Sequence, residues 1–542
     1  PAVPFDRAFN RFHYEGLVRH TRGRHTLTAG AGIVRGQVNG VESFGKSGMW
    51  AFWSNFEDEF GNTRDMMTNL RLGTPSLYRK AIGDPHRGFR DWRMLYYIGD
   101  RWNVSSKLTL NFGLRHEPSS APVEVNGRSE IPYDCDCNNY SPNFGFAYQL
   151  ARGWGVLRGA YGLYYGDIPL ATYTRIRFNP PDSSMLSLRA PNILDPLEGG
   201  DISPGGRSNI LQLSPDLAFP YSHQYNFSWE LTPAKDWTLR LGYLGSRTHR
   251  ILSEWVFNRA RLIPGQPPKT EDVTERRPDQ RYSDIRRILN GSRAYFDAAK
   301  ISLSGRGWHG LSMDASYWFS KVIDLGGNYS STGSMTDGWM NRSQTEFDVH
   351  GDLKALSVFD QPHATLWQLN YETPRLRGVP RSLRSVLGRW TISSVILLKA
   401  GTPFSVESGS DGPGIGNVDG APGDRPNLLD PSILGNSVDH PDTAAQQLPA
   451  SAFAFIGIGE SAGTLGRSTF RKDGIRNVNF SIQRRWRVSG DTTLQFRAES
   501  INFFNTAQFA EPGRSLSSSN FGQITNTLND GRSFRFLLRF AF

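Results

Sequence analysis

The stretch that most constrains this chain is its last one, Arg532-Ser533-Phe534-Arg535-Phe536-Leu537-Leu538-Arg539-Phe540-Ala541-Phe542. Taken by twos, Phe534, Phe536, Leu538, Phe540 and Phe542 fall on one side and Ser533, Arg535, Leu537, Arg539 and Ala541 on the other. Successive side chains of a strand point to opposite faces, so this is a strand with one apolar and one cationic face. A soluble sheet that left such a strand at its edge would invite aggregation. A closed transmembrane barrel removes the edge by pairing the last strand with the first. The alternative is an inner-face strand of a soluble sandwich.

The chain has 542 residues, too many for one ordinary soluble core, so either several domains or one large closed sheet is expected. Its net charge of +10 suits nucleic acid, an acidic membrane surface or anionic solutes. The basic residues are scattered singly among apolar ones, which argues against a nucleic-acid arm. No apolar run reaches the ~18 residues of a membrane helix, but barrel strands need only ~9–11 residues of alternating polarity. The start, Pro1-Ala2-Val3-Pro4, carries neither an initiator Met nor a signal peptide, so an N-terminally incomplete barrel domain spanning 1–542 is expected.

Strand pairs with short turns recur along the chain: 9–20 with 25–35, 92–102 with 107–117, 142–150 with 154–165, 223–231 with 237–247, 294–304 with 311–321, 362–373 with 390–400 over a longer basic turn, and 477–488 with 492–505. The terminal strand follows alone. Residues 47–56 and 76–82 are candidates for two more, giving 15–17 strands in all. Between the pairs lie long polar connections, the longest at 167–221 and 402–473. Long structureless loops count against a compact soluble domain. Short turns on one side and long loops on the other are what an outer-membrane barrel has at its periplasmic and extracellular ends. A propeller would need a 40–50-residue repeat of four strands, and connections that alternate in length do not supply one.

Trp102, Trp154, Trp237, Trp308, Trp390 and Trp486 all stand beside the short turns. Tryptophan favours the headgroup level of a membrane, so these six are expected to form one aromatic girdle. The opposite faces of the strands are polar. Leu108, Leu110, Phe112 and Leu114 alternate with Thr109, Asn111, Gly113 and Arg115, and Val478, Phe480 and Ile482 with Asn479, Ser481 and Gln483. Burying so many charges in a dry core would cost several kcal/mol each, so the second face is expected to line a wet lumen. The lumen candidates are Arg115, Arg158, Arg240, Asp314, Arg497, Glu499, Arg535 and Arg539, facing either water and a plug or a solute.

In order along the chain, Arg24-His25-Thr26-Leu27-Thr28-Ala29-Gly30, the run from Leu108 to Glu117, Ser141-Pro142-Asn143-Phe144-Gly145-Phe146, Gly242-Tyr243-Leu244-Gly245-Ser246-Arg247, Asp424-Arg425-Pro426-Asn427 and Gln495-Phe496-Arg497-Ala498-Glu499 resemble the large TonB-dependent outer-membrane transporters of the Oar-like type. The resemblance implies a 22-stranded barrel filled by an N-terminal plug. A TonB-contacting segment, and often a carboxypeptidase-regulatory-like domain, would lie ahead of the plug. It implies energised uptake of a scarce solute (oligosaccharide, peptide or siderophore), with no cofactor. The implied partners are outer-membrane lipid, the TonB complex and the barrel-assembly machinery, which would read the terminal aromatics Phe540 and Phe542; a surface-exposed protein partner stays open. An adhesion or secretion barrel without energised uptake is the rival.

Three motifs point to other chemistry. Gly459-Glu460-Ser461-Ala462-Gly463 fits a nucleophile elbow, but a poor helix start follows and no oxyanion-hole run exists, so no enzyme is expected. The acidic, glycine-rich run 411–420 offers hard oxygen ligands without the EF-hand spacing. Cys135 and Cys137 are too close for an unstrained mutual disulfide; they read as a loop feature or, with Asp134 and Asp136, as half of a metal site without its second half.

Overall fold

Fifteen long strands run back and forth through one antiparallel sheet: β1 (Phe5–Arg22), β2 (His25–Glu42), β3 (Arg87–Asn103), β4 (Leu108–His116), β5 (Tyr140–Gln149), β6 (Val156–Tyr165), β7 (Tyr221–Ala234), β8 (Trp237–Phe257), β9 (Ile285–Trp308), β10 (Leu311–Asp324), β11 (His363–Glu372), β12 (Thr391–Lys399), β13 (Ile475–Ser489), β14 (Thr492–Ile501) and β15 (Ser533–Ala541). In this computed structural model the described residues are 5–42, 47–52, 56–57, 63–179, 183–189, 191–196, 209–265, 273–326, 342–374, 378–380, 383, 386–409, 423–438, 440–457 and 460–542. Each long strand pairs with its neighbours in sequence, and five short segments bring the sheet to 20 strands. Among the described residues β1 pairs only with β2 and β15 only with β14, so the sheet is open between them.

The turns at one end are tight. Gly23 supplies a positive φ between β1 and β2, and Gly490 does so between β13 and β14. The connections at the other end are long, and they are not structureless. Residues 167–221 contain a helix (Leu170–Thr174) and two strands (Ser183–Arg189 and Ile210–Leu213). From this connection Ile168, Tyr173, Ile176, Leu213, Leu217 and Phe219 bury themselves against Val38, Phe89, Leu252 and Ile288 of β2, β3, β8 and β9. The second long connection builds its own core around Phe404, Val406, Val438, Leu448, Phe453 and Phe470, which Phe521 of the β14–β15 connection completes.

The two additional strand candidates do not join the large sheet. Leu77–Gly83 pairs instead with Met49–Ala51 and with Ser183–Arg189, in a separate three-stranded sheet made by two connections. At 7 residues it is too short to span a bilayer, which takes about 9–11. Strands β8 and β9, at 21 and 24 residues, are conversely far longer than a span needs and run on into the loop region.

The cysteines also depart from expectation. Cys135 and Cys137 form a disulfide, with Cα atoms 5.5 Å apart, inside the 4.4–6.8 Å that a bridge accepts. Extended backbone makes the spacing possible: Cys135–Asp136 is a short strand paired with Ser119–Ser120. Among the described residues no group of three or more His, Cys, Asp and Glu is arranged to hold a metal.

Candidate functional site

Directly opposed residues in a sheet share a face. Arg115 stands opposite Ser141, and Arg158 opposite Ala147 and Ser228. Arg240 stands opposite Glu230 and Ser302, and Asp314 opposite Ser304 and Gln368. Arg497 stands opposite Gln483, Glu499 opposite Ser481 and Arg535, and Arg539 opposite Gln495. Followed from strand to strand, this register puts all eight charged residues on one face of the sheet. Several are paired there. Arg240 donates to Glu230 at 2.6 Å, with Arg158 at 3.9 Å from the same carboxylate. Arg497 donates to Glu499 and Arg115 to Glu117, both at 2.8 Å. These are exposed pairs, worth up to about 1 kcal/mol each, so their role is to keep a polar face rather than to hold the sheet together.

Three of the six tryptophans fall, by register, on the other face. Trp102 stands opposite Leu110, Trp237 opposite Gly305 and Trp486 opposite Leu494. Gly305 is needed there, because a Cβ would lie 2.1 Å from the Trp237 ring, which rests on the bare backbone. Trp390 meets Trp486 at 6.0 Å edge-on, and Arg484 stacks over both rings. Trp154 sits in its turn, exposed, its carbonyl accepting from Trp229 Nε1 at 2.8 Å. The backbone of Trp308 closes β9 opposite Leu311; its side chain lies outside the described residues.

Towards the loop end of the tryptophan face is a second ring of aromatics that the sequence reading did not pick out. Tyr161 and Tyr317 bond His223 Nδ1 and His363 Nδ1, each at 2.8 Å. His116 stacks on Tyr140 at 4.1 Å, and Tyr221 stacks on His249 at 5.3 Å. A recognisable signal was present: His116, His223 and His363 are each at or near the strand end opposite a short turn.

Above the sheet, buried ion pairs tie three connections together. Asp424 lies 3.3 Å from Arg342 and 4.0 Å from Arg259. Arg425 pairs with Asp352 and donates through Nε to the Leu465 carbonyl at 2.8 Å. Arg467 pairs with Asp324 and donates to the Leu353 carbonyl at 2.8 Å. Burial opposes charge on Asp352, but the Arg425 guanidinium and the Gln344 backbone N–H outweigh it and hold its carboxyl below the usual range. The Asp424-Arg425-Pro426-Asn427 run is thus a structural tie. So is the run with the elbow spacing: Glu460 accepts from Asn427 Nδ2 at 2.6 Å and from Gly457 N at 2.7 Å, and Gly463 N donates to Gln344 at 3.1 Å. Residues 411–420, the calcium candidate, lie outside the described residues, as does Gly459.

This geometry is a long meander with one charged face, one aromatic-edged apolar face, tight turns below and folded connections above. The sequence matches the family described as outer membrane beta barrel domain over residues 1–136 and 129–535. The chain belongs to this family. It is an outer-membrane protein of the Gram-negative cell envelope, an all-β fold built on a large antiparallel sheet. Among solved structures it is similar in fold to the outer membrane transporter YddB from Escherichia coli, at 12% identity and a TM-score of 0.51, over 98% of this chain and 54% of that one. The ferripyoverdine receptor of Pseudomonas aeruginosa aligns at 11% identity and a TM-score of 0.47, over 98% and 48%. The ferric yersiniabactin uptake receptor FyuA from Yersinia pestis aligns at 10% identity and 0.46, over 100% and 55%. The chain spans about half the length of these structures. No curated protein matches its sequence.

Proposed function

We propose that this barrel domain is part of a TonB-dependent transporter of the Oar-like type, taking up a scarce solute through its lumen. The observation that carries the reading is the shared face of Arg115, Arg158, Arg240, Asp314, Arg497, Glu499, Arg535 and Arg539. Such a face is tolerable next to water or a polar plug and intolerable in a dry core. In this reading the eight residues line the lumen and meet the plug, water or solute. The two aromatic rings mark the bilayer. Trp237 and His249 are 12 residues apart on β8, about 40 Å along a strand and about 28 Å in height at 45° tilt, close to the ~25 Å apolar band of outer-membrane barrels. The open edges of β1 and β15 are bridged by further strands of the same barrel. A plug and a TonB-contacting segment couple it to the inner membrane, and Phe540 and Phe542 are read during assembly.

The test is solute uptake by cells expressing the protein, with the membrane energised and then collapsed by an uncoupler. Uptake that stops on collapse supports the reading. Uptake that persists, or a protein that sits in the outer membrane and moves nothing, excludes energised transport.

A further inference from the structure

An open cleft of about 620 Å³ lies between the β4–β5 connection and the long β6–β7 connection. Its apolar side is Ile176, Leu211 and Leu213, and its polar rim is Arg128, Glu130 and Arg287. A third arginine of the lining, Arg87, is wholly buried and holds Ser129 Oγ at 3.0 Å and the Asp84 and His86 carbonyls, so it fixes the wall. Arg287 lies against the Phe257 ring and donates through Nε and one terminal nitrogen to Gln212 Oε1, at 3.2 and 2.9 Å. Arg128 is exposed and directs one terminal nitrogen to the Asp84 carboxylate. A guanidinium has five N–H donors in a planar fork, so both side chains retain donors for an oxyanion in the cleft.

We propose that this cleft binds the C-terminal end of a short apolar peptide. Its carboxylate would meet Arg128 and Arg287, and its side chains would lie on Ile176, Leu211 and Leu213. The N–H donors that Arg128 and Arg287 keep after bonding Asp84 and Gln212 select an oxyanion. Glu130 on the rim selects against a doubly charged phosphate and offers an acceptor to a peptide N–H beside the carboxylate. The volume is that of a site for a drug-sized ligand, 300–1,000 Å³. Calling the peptide cargo rests on the uptake reading; the binding does not.

The experiment is equilibrium binding of acetyl-Leu-Leu-Phe as the free acid and as its C-terminal amide to the purified protein in detergent. The acid binds about tenfold more tightly than the amide, and Arg128→Gln and Arg287→Gln each abolish the preference. Arg306→Gln, at a distant short turn, leaves it intact. Arg128 is exposed, so its replacement leaves the fold in place. Equal binding of acid and amide, no binding of either, or a preference that survives both substitutions overturns the site. Binding with no energised uptake keeps the site and sinks the cargo role. Energised uptake indifferent to both arginines sinks the site and leaves transport standing.

Discussion

The Asp136 carboxylate accepts the backbone N–H of Phe219 at 2.7 Å, across 83 residues of chain. Asp136 sits between the two bridged cysteines, and Phe219 is in the core that closes the long β6–β7 connection over the sheet, with Arg93 stacked on its ring. The disulfide therefore holds the backbone of one connection while its central carboxylate ties down another. A hydrogen bond to a buried charge contributes about 1.5–3 kcal/mol. Asp136→Ala should raise the rate of proteolytic nicking within 167–219 about ten- to a hundredfold while β-sheet circular dichroism stays unchanged. Reducing the disulfide should have the same effect in the same direction.

The same two connections meet again where Tyr133 Oη and Tyr173 Oη lie 2.5 Å apart. Burial pushes the Tyr133 phenol up to about 12, and burial beside Tyr133 raises Tyr173 well above its usual value. Folded values above the unfolded value of about 10 mean that the pair's contribution is complete below pH 10 and is lost as pH rises through 12. Phenolate absorbance of these two residues should appear together with protease sensitivity of the connection in that window, and not below it. Tyr133→Phe leaves the Tyr173 hydroxyl buried without its partner and should cost about 1–3 kcal/mol, whereas the double Phe variant should be closer to neutral.

Breaking the ion-pair tie above the sheet should be more damaging. Arg425→Ala strands the Asp352 carboxylate, and removing one partner of a buried pair costs about 3–5 kcal/mol. Because the folded Asp352 lies below its ordinary value of 3.8, its contribution is present above that pH and fades as pH falls through the depressed value. Hydrogen exchange at residues 343–353 should therefore rise in the variant at neutral pH, and in the wild type only in acid below about pH 4. Equal protection in variant and wild type would mean that the tie holds nothing.

If the tryptophan face meets lipid, brominated-lipid quenching should place Trp102, Trp237 and Trp486 at one depth. Gly305→Ala should lift the Trp237 ring off the backbone and shift its depth alone. A wide spread among the three wild-type residues would count against a girdle.

How much of this was legible in the sequence follows from where a period of two persists. In β8, Trp237, Leu239, Leu241 and Tyr243 alternate with Thr238, Arg240 and Gly242, and the strand could be read directly. Beyond Thr248 the register with β9 shifts twice and Arg250 takes a positive φ, so the alternation changes phase and residues 249–257 of the strand carry no readable period. The cores of the connections were hidden for a related reason. Tyr173, Leu213 and Phe219 converge from a short helix, a short strand and a loop, and mark no period along the chain. The run Asp424-Arg425-Pro426-Asn427 stands out in the sequence, but the pairing of Arg425 does not, since its partner Asp352 is 73 residues away. The eight charged positions follow from parity alone, and parity propagates through a sheet, which is why one register carries them all.

The terminal strand offers the sharpest comparison of the two faces. Leu538 stands opposite Phe496 and Leu537 opposite Arg497, so adjacent leucines lie on opposite sides of β15. If the Phe534, Phe536, Leu538, Phe540 and Phe542 side meets lipid, Leu538→Arg near mid-membrane should cost roughly 2–4 kcal/mol, the range for a cation at that depth. Leu537→Arg places the same charge beside Arg497, whose guanidinium is already engaged by Glu499 at 2.8 Å. Like charges facing each other across strands are destabilising by about 0.2–1 kcal/mol, and water in the lumen screens them further. Side-chain size and strand propensity cancel between the two variants, because the residue removed and the residue added are the same. Phe542→Ala should lower assembly yield in cells more than it lowers stability, since it changes an end that is already 98% exposed. Folding yield and urea midpoint in lipid vesicles measure both arginine variants. Equal damage from the two would mean that both sides of β15 are dry, and a wet lumen against this strand would have to be abandoned.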